Sequence, residues 1–305
     1  MHDTLEHLTQ LLLDSYARIG GINYLDGKNL PSKRMIAEIT LDLLRLLFPG
    51  YFDERVVHSA ELRGETEARL ESVRRRLENQ IDKSLEYAPP PGVQTEESRP
   101  LAATLAREFL QQLPELRDLL ATDVEAAYGG DPAALSPEEV MVAYPCVEAI
   151  AVQRLAHVLY ERQVGLIPRI MTEWAHGRTG IDLHPGARIG SHFFIDHGTG
   201  TVVGETSRLG DHVRLYQGVG LVARSLSGGH SLRGQRRHPT LENRVTVYAG
   251  ATIMGGDTIV GAGSTIGANV FLTQSVPPHS LVLNENVRIK VLAKPTHSPG
   301  PDYQI

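Results

Sequence analysis

The sequence is short of the features that mark secreted, membrane and nucleic-acid-binding proteins. Its 305 residues include one cysteine, Cys146, which excludes an internal disulfide and suits a reducing cytosol. A formal net charge of −6 argues against a nucleic-acid partner, because such proteins usually carry a basic surface. The N-terminus lacks the basic start of a signal peptide, and no run approaches roughly eighteen apolar residues. A cytoplasmic protein without a membrane span is therefore expected.

Motifs for nucleotides and metals are also missing. Neither G-x-x-x-x-G-K-[ST] nor G-x-G-x-x-G after a strand occurs, so a phosphate-binding loop is not predicted. Thirteen histidines raise the question of a metal, and His197, His212 and His238 could in principle converge. However, the paired spacing H-x-x-x-H is absent, and there is only one thiol. We therefore predict no metal, and a carbonic-anhydrase-like hexapeptide protein remains the minor alternative.

The second half of the chain repeats every six residues. Aliphatic or small residues recur at this interval from Leu183 to Val219 and again from Leu241. A period of six fits neither an α-helix nor a β-strand, but it is typical of a hexapeptide β-helix. We expect uninterrupted hexads up to Val219, a slip of one residue after Ile253, and an end at the proline pair 277–278.

The first half has helical periodicity and helix boundary signals. The charged run 54–87 is predicted to be one long, solvent-facing helix, and the proline-rich segment 88–100 is predicted to be a linker or an exposed crossover. Helices ahead of a β-helix would also cover the open sheet edge of its first coil. The predicted helices span residues 5–19, 32–47, 54–87, 101–113, 114–126, 144–162 and 166–174.

These patterns give an α+β fold class, with an N-terminal α-helical domain followed by a left-handed parallel β-helix. Residues 224–240 contain no aliphatic period, so they form a loop that leaves the β-helix, and such loops often carry function. The predicted divisions are a helical domain over 1–178, a β-helix over 179–294 with the loop 224–240, and a flexible tail over 295–305.

Ionisable residues are concentrated at the start of the repeats and at the base of the loop. Asp182 and His197 are fifteen residues apart, close to the roughly eighteen residues of one coil. They can therefore lie on neighbouring coils, where a carboxylate would orient an imidazole that accepts a proton. The alternative is that both are surface residues of a polar turn. The whole set indicates a polar cleft: Asp182, His184, Asp196, His197, Glu205, Arg236, Arg237 and His238.

Three motifs resemble those of serine O-acetyltransferases. They are D-L-H-P-G-A-R-I-G from Asp182, D-H-G-T-G-T-V-V-G-E-T from Asp196, and R-H-P from Arg237. The resemblance covers roughly Asp131 to Pro278. It implies an acyltransferase that moves an acetyl group from acetyl-CoA to the hydroxyl of L-serine, giving O-acetyl-L-serine for cysteine synthesis.

The resemblance also implies roles for individual residues. His197 would be the general base and Asp182 would orient it, so that the serine alkoxide attacks acetyl-CoA directly. The implied ligands of the substrate ammonium are Asp131 and Asp196, and those of its carboxylate are Arg237 and His238. The implied contacts to the coenzyme are Gly220, Ala249 and Gly250.

Several partners follow from the same resemblance. We expect a homotrimer or a dimer of trimers, in which Arg237 and His238 serve the His197 of an adjacent protomer. Cysteine is expected to inhibit at the serine site, because it carries the same ammonium and carboxylate. The C-terminal Ile305 resembles the residue with which family members occupy the active site of cysteine synthase.

Two departures from the family pattern affect the coenzyme. The segment after Gly220 lacks a double glycine, and residues 284–288 replace a usual Gly-x-Pro-Ala-Arg. The coenzyme is therefore expected to be held differently. Two other functions remain open: an acetyltransferase for another small hydroxyl or amine, and a non-catalytic solenoid that supports an assembly.

Overall fold

In the computed structural model the chain forms a run of α-helices followed by three parallel β-sheets. The structure describes residues 4–90, 92, 97–224, 228–232 and 234–285. None of the helices within these ranges has the length and apolar character needed to cross a bilayer. The helices are α1 (Leu5–Arg18), α2 (Lys33–Leu47), α3 (Leu62–Tyr87), α4 (Ser98–Gln111), α5 (Leu113–Gly130), α6 (Pro137–Ala143), α7 (Pro145–Glu161) and α8 (Ile167–Thr179).

Helix α2 shows how the sequence signals produce the helical core. The Ser32 side chain accepts a hydrogen bond from the Met35 amide, which caps the first turn as expected of a serine at this position. Ile36, Ile39 and Leu43 follow at spacings of three and four, so they share one face of the helix, and all are buried. This face packs against α3 and α8.

The predicted long helix is shorter and more buried than expected. Helix α3 begins at Leu62 rather than at residue 54, and a four-residue apolar stripe lies on its inner face. Val73, Leu77, Ile81 and Leu85 form this stripe, and all four are buried. Because the stripe is narrow and charged residues surround it, the sequence of α3 does not indicate a buried face. The short helix α6 was not predicted at all.

Fourteen short strands follow within the described ranges, and every strand pair among them is parallel. The chain visits the three sheets in turn, so each sheet is built from successive coils of a solenoid. This confirms the predicted left-handed β-helix. The strands are β1 (Asp182–Leu183), β2 (Arg188–Ile189), β3 (Phe194–Ile195), β4 (Val202–Val203), β5 (Arg208–Leu209), β6 (Arg214–Leu215), β7 (Gly220–Val222), β8 (Thr240–Leu241), β9 (Thr246–Val247), β10 (Thr252–Met254), β11 (Ile259–Val260), β12 (Thr265–Ile266), β13 (Phe271–Leu272) and β14 (Leu281–Val282).

The sheets and the corners between them locate the polar residues. Sheet 1 contains β1, β4, β7, β10 and β13; sheet 2 contains β2, β5, β8 and β11; sheet 3 contains β3, β6, β9, β12 and β14. We call the turn from sheet 1 to sheet 2 the first corner, that from sheet 2 to sheet 3 the second, and that from sheet 3 back to sheet 1 the third. The loop between β7 and β8 leaves at the first corner.

The expectation of uninterrupted hexads is wrong at the third corner. Val202 pairs with Gly220, eighteen residues away, whereas Asp182 pairs with Val202, twenty residues away. The turn after Ile195 therefore contains two extra residues. Each hexad has two inward-facing positions, and both Thr201 and Val203, which are two residues apart, are buried. A six-residue count from Ile195 therefore reaches the inward position at Thr201 instead of the equivalent position at Val203, and the extra residues go unnoticed in the sequence.

The later repeats agree with the sequence except at their end. The predicted slip of one residue occurs, since Ile253 and Val260 are both buried and lie seven residues apart. The proline pair 277–278 does not end the solenoid. Strand β14 lies beyond it and pairs with β12, with Leu281 opposite Thr265.

Helix α7 attaches the helical part to the first coil through polar side chains. Gln153 Nε2 donates to the Ala187 carbonyl at 2.9 Å, and Arg154 Nη2 donates to the Gly190 carbonyl at 2.8 Å. Arg154 also forms a buried bidentate pair with Asp123 at 2.6 and 2.7 Å. These donors satisfy carbonyls at an open sheet edge that would otherwise be exposed.

Candidate active site

The third corner carries the predicted base. His197 lies in the two-residue extension after β3, in a left-handed conformation with φ of 57°. Its side chain is 72% exposed, and its Nε2 lies 3.7 Å from Asp196 Oδ1. The Asp196 side chain is only 14% exposed. An acid held in the structure therefore stands beside an imidazole that is open to a ligand.

Asp131, at the C-terminal end of α5, joins this corner. Its Oδ2 accepts a 2.5 Å hydrogen bond from the Tyr144 hydroxyl, and its Oδ1 accepts one from the Ala133 amide at 2.8 Å. These two bonds, in that order, lower the pKa of Asp131, and His197 adds to the effect. The hydrogen bond between Tyr144 and Asp131 also raises the pKa of the Tyr144 hydroxyl to about 12. Asp131 is thus held as a carboxylate next to His197, where a cation can bind.

Tyr144 is a site residue that the sequence did not reveal. It is the residue before Pro145 at the start of α7, and its position there gives no sign of a partner thirteen residues upstream. Only the tertiary structure brings it to Asp131. Its hydroxyl binds one oxygen of the Asp131 carboxylate and thereby fixes the orientation of that side chain.

Asp182 lies at the start of β1, and no hydrogen bond or ion pair joins it to His197 among the described residues. Its Oδ1 is instead 3.7 Å from Arg169 Nη1 on α8. Asp182, Glu173 and His176 form the one group of three potential metal ligands within the described ranges. Arg169 also forms an ion pair with Glu173, so one guanidinium already offsets part of the negative charge of this group.

The three histidines that were considered as metal ligands are separated by the fold. His197 is at the third corner, His212 follows β5 at the second corner, and His238 precedes β8 at the first. They therefore do not converge within one chain.

The first corner carries the predicted carboxylate ligands. Arg237 Nη2 donates to Glu205 Oε2, while the Tyr160 hydroxyl donates to Glu205 Oε1 at 2.7 Å. Burial acts to raise the pKa of Glu205, but the bonds from Tyr160 and Arg237 outweigh it and lower the pKa. A polar cavity of about 220 Å³ lies beside this group. Tyr160 and Glu205 thus support Arg237; the sequence predicts Glu205 only as part of a polar cleft and does not indicate Tyr160.

His238 is buried beside Arg237, with 8% of its surface exposed. Its Nδ1 accepts a hydrogen bond from the Thr206 amide at 3.1 Å. Burial, followed by the charge of Arg237, lowers the pKa of His238 to about 4, and Glu205 opposes this shift. His238 is therefore a neutral imidazole at neutral pH.

The three predicted coenzyme residues lie on sheet 1 and the third corner. Gly220 belongs to β7, whereas Ala249 and Gly250 form the turn between β9 and β10. Gly250 has a φ of 70° and stacks on Gly218, with a φ of 69°, in the coil before it. The left-handed turn therefore accounts for the glycine at 250 without a ligand.

The two polar groups lie at different corners of the same solenoid. Asp131, Asp196 and His197 gather at the third corner, which precedes the strands of sheet 1. Arg237 and His238 lie at the first corner, which follows those strands. One chain therefore presents two half-sites on either side of sheet 1.

Known proteins place the chain in a family. No protein-family model matches it. A plasmid serine acetyltransferase of Synechococcus elongatus is 43% identical over 277 residues, which cover 85% of this chain and 83% of that protein. The chain belongs to the serine acetyltransferase family. The chain is thus an acyltransferase that acetylates the serine hydroxyl, as the motifs predicted.

Solved serine acetyltransferases have the same architecture. Isoform 3 from Entamoeba histolytica, in complex with cysteine, has a TM-score of 0.72 and 31% identity, with 96% of each chain covered. The soybean serine acetyltransferase, in complex with serine, has a TM-score of 0.53 and 26% identity, with 84% of this chain and 98% of that chain covered. The arrangement of helices followed by a β-helix is shared along nearly the whole chain.

Proposed function

We propose that the complete serine site forms between two protomers, with the third corner of one facing the first corner of the next. The observation that supports this is the separation of the half-sites by sheet 1 within one solenoid. An amino acid needs an anion beside its ammonium and hydrogen-bond donors beside its carboxylate. Asp131 and Asp196 supply the anions at one corner, and Arg237 and His238 supply the donors at the other. A homotrimer brings such corners together around one axis.

In this arrangement His197 removes the proton from the serine hydroxyl. The oxygen then attacks the thioester carbonyl of acetyl-CoA, the carbon–sulfur bond breaks, and the coenzyme leaves as a thiol after it gains the proton. No acyl-enzyme is needed, because the exposed imidazole can reach the acceptor directly. Backbone amides would stabilise the negative oxygen of the intermediate. Asp182 is proposed to act on His197 from the outer face of sheet 1.

Acetyl-CoA is proposed to follow the third corner along successive coils. Beyond His197, this corner presents Ala249 and Gly250, and Gly220 lies on the adjoining strand of sheet 1. The stacked rings of Tyr216 and Tyr248, with centroids 4.9 Å apart, form one wall of this path.

Mixed oligomers test the shared site. At a serine concentration well below the wild-type KM, His197→Ala and Arg237→Ala should each reduce acetyl transfer to near the background when produced alone. Co-produced with different tags and purified as hetero-oligomers, they should recover roughly a third of the wild-type rate, because in a trimer that contains both variants one of the three sites joins an intact third corner to an intact first corner. Release of the coenzyme thiol with serine as acceptor measures the rate.

A matched control uses two changes at the same corner. At the same limiting serine concentration, a mixture of His197→Ala and Asp131→Ala should stay near the background, because every third corner then carries one defect. If the first mixture also stays inactive, the site lies within one chain and the proposal is wrong.

Cysteine is proposed to inhibit by binding in place of serine. The Entamoeba isoform 3 structure contains cysteine and the soybean structure contains serine. Both ligands carry the ammonium and carboxylate that the two half-sites are suited to hold. Inhibition should be competitive with serine, and Asp131→Asn should weaken both ligands together. Inhibition that is independent of serine concentration would place cysteine elsewhere.

The C-terminal Ile305 lies outside the described residues, so its role is proposed from the sequence alone. We infer that the tail binds the active site of cysteine synthase, with the terminal carboxylate mimicking that of the substrate. A peptide of the last ten residues should compete with O-acetylserine on that enzyme. Deletion of Ile305 should abolish the complex without changing acetyl transfer, and retained binding after this deletion would exclude the role.

A cytoplasmic location is proposed with this function. Cys146, the single cysteine, is buried and unpaired, which suits a reducing compartment. Cell fractionation followed by the acetyl-transfer assay should recover the activity with cytosolic markers.

A further inference from the structure

Thr206 forms hydrogen bonds with both residues that we propose bind the substrate carboxylate, Arg237 and His238. It follows β4 at the first corner, and its hydroxyl accepts hydrogen bonds from the backbone amides of Arg237, at 2.9 Å, and His238, at 3.0 Å. The same oxygen lies 2.9 Å from His238 Nδ1. A hydroxyl can accept two hydrogen bonds and donate one, so Thr206 satisfies its full capacity at the base of the loop.

These contacts define the protonation of the His238 ring. The Thr206 backbone amide, 3.1 Å from Nδ1, can only donate, so Nδ1 must carry a lone pair. In a neutral imidazole the hydrogen is then on Nε2. Burial keeps the ring neutral by lowering the pKa of His238 to about 4. The ring therefore presents an N–H donor on its far side.

His238 Nε2 has no hydrogen-bond partner among the described residues, and it is not sealed from solvent. The one fully buried side-chain nitrogen or oxygen without a partner in these ranges is Ser207 Oγ. The Nε2 edge of the ring lies over Gly204, where an added Cβ would come within 2.0 Å of Nε2. The absence of a side chain at Gly204 thus provides the space for the His238 ring. The Nε2–H group of His238 remains available as a donor for a ligand.

Glu205 supports the neighbouring donor in a similar way. Its carboxylate accepts from Arg237 on one oxygen and from the Tyr160 hydroxyl on the other. Tyr160 belongs to α7, which is fixed to the first coil by buried side chains. The chain Tyr160–Glu205–Arg237 therefore ties the guanidinium to the helical part of the molecule.

We propose that Thr206 is a positioning residue for serine recognition, which sets the Nε2–H tautomer of His238 and, with Glu205, aligns His238 and Arg237 as donors for the substrate carboxylate. This inference rests on the proposed function of Arg237 and His238. It assigns the specificity for a free carboxylate to the turn 204–206, beneath the loop, rather than to the loop alone.

Kinetics test the consequence. Thr206→Val keeps the shape of the side chain but removes all three hydroxyl interactions, so the KM for serine should rise by roughly ten- to a hundredfold. The KM for acetyl-CoA and kcat at saturating serine should change much less. Thr206→Ser restores the hydroxyl and should recover most of the serine affinity. Thr265→Val, on the outer face of sheet 3, is a matched control with an expected wild-type profile.

A substrate comparison separates carboxylate recognition from general damage. Ethanolamine has the hydroxyl and ammonium of serine but no carboxylate. The ratio of kcat/KM for serine to that for ethanolamine should fall in Thr206→Val, because only serine uses the misaligned donors. An equal loss for both acceptors would indicate structural damage and contradict the inference.

The tautomer can be measured without any substrate. Selectively ¹⁵N-labelled histidine and long-range ¹H–¹⁵N correlation distinguish Nε2–H from Nδ1–H rings, and the signals missing in His238→Gln identify residue 238. Wild type, Thr206→Ser and Thr206→Val should all show only the Nε2–H form, because each keeps the backbone amide that donates to Nδ1. An Nδ1–H ring in the wild type would overturn the inference. This result does not depend on the reaction, so it separates failure of the inference from failure of the proposed function.

Discussion

The first and third corners carry opposite kinds of half-site. At the first corner, Arg237 and His238 are tied by hydrogen bonds to Glu205 and Thr206, Glu205 accepts a further bond from Tyr160, and His238 is buried. At the third corner, His197 is 72% exposed and its contact is a 3.7 Å approach to Asp196. One half-site is assembled within the chain, and the other is open.

This difference matches the tasks that we propose. Ligands for a carboxylate need fixed donors, because a fixed donor loses little entropy when the ligand binds. A general base must exchange protons with substrate and solvent during each turnover, so an exposed imidazole suits it. The comparison predicts that loss of the exposed base affects turnover most, and that loss of a fixed ligand at either corner affects binding.

The largest effect is expected for His197→Ala. Loss of the base should lower kcat by roughly a hundredfold or more, the usual scale of general-base catalysis. The side chain is exposed, so the melting temperature should change little. Single-turnover acetyl transfer measures the rate, and coenzyme binding by calorimetry is the control. Near-wild-type turnover would remove the mechanism.

Asp131→Asn should have the next largest effect, on serine binding. The substitution keeps the shape of the side chain but removes the charge that we propose pairs with the ammonium. The KM for serine should rise by roughly tenfold to a hundredfold, while the KM for acetyl-CoA stays the same. Tyr144→Phe, which removes the bond to Asp131 Oδ2, should show the same pattern more weakly. A change in kcat alone would assign Asp131 to turnover instead.

Asp182→Asn should reduce kcat by on the order of tenfold at most, less than His197→Ala. Asp182 is 3.7 Å from Arg169 and is not bonded to His197 among the described residues, so it can affect the base only indirectly in this arrangement. Steady-state kinetics of both variants give the ranking. An equal loss in the two variants would show that Asp182 bonds to His197 when substrate is bound.

Much of the fold could be predicted because the six-residue repeat of the β-helix can be recognised from individual aliphatic residues in the sequence. Each hexad buries an aliphatic residue such as Leu183 or Val247, so the period is visible without tertiary information. The two extra residues after Ile195 were missed because the small inward residues form a second row. The apolar stripe of α3 was missed because charged neighbours dominate the composition.

The candidate site was predictable only as a set of residue types. The motif around His197 identified the corner, and R-H-P identified Arg237 and His238. Their supports could not be found, because Tyr144, Tyr160 and Thr206 act through contacts between residues 13 to 45 positions apart. Such contacts depend on how α7 and the loop lie against the solenoid, which local patterns do not encode.

The smallest expected effect concerns stability in acid at the first corner. His184 Nδ1 accepts from the Gly186 amide at 3.0 Å, and the ring packs edge-on against Tyr160. Burial, with the charge of Arg169, lowers the pKa of His184 to about 4, against the opposing charge of Glu205. In the unfolded chain a histidine has a pKa of about 6.5.

Between these two pKa values the unfolded chain binds a proton that folded His184 does not, so stability should fall as pH decreases from about 6.5 towards 4. Above 6.5 both states are neutral and this contribution to the pH dependence vanishes. His184→Asn places an acceptor oxygen near Nδ1 but cannot take up the proton. The loss of melting temperature between pH 7 and pH 5 should therefore be smaller in the variant, by roughly a few degrees at most. The comparison uses the slope, since the variant can be less stable at every pH. Parallel curves of melting temperature against pH for the two proteins would show that His184 takes up a proton in the folded state. In that case His184 would not share the burial that keeps His238 neutral at the first corner.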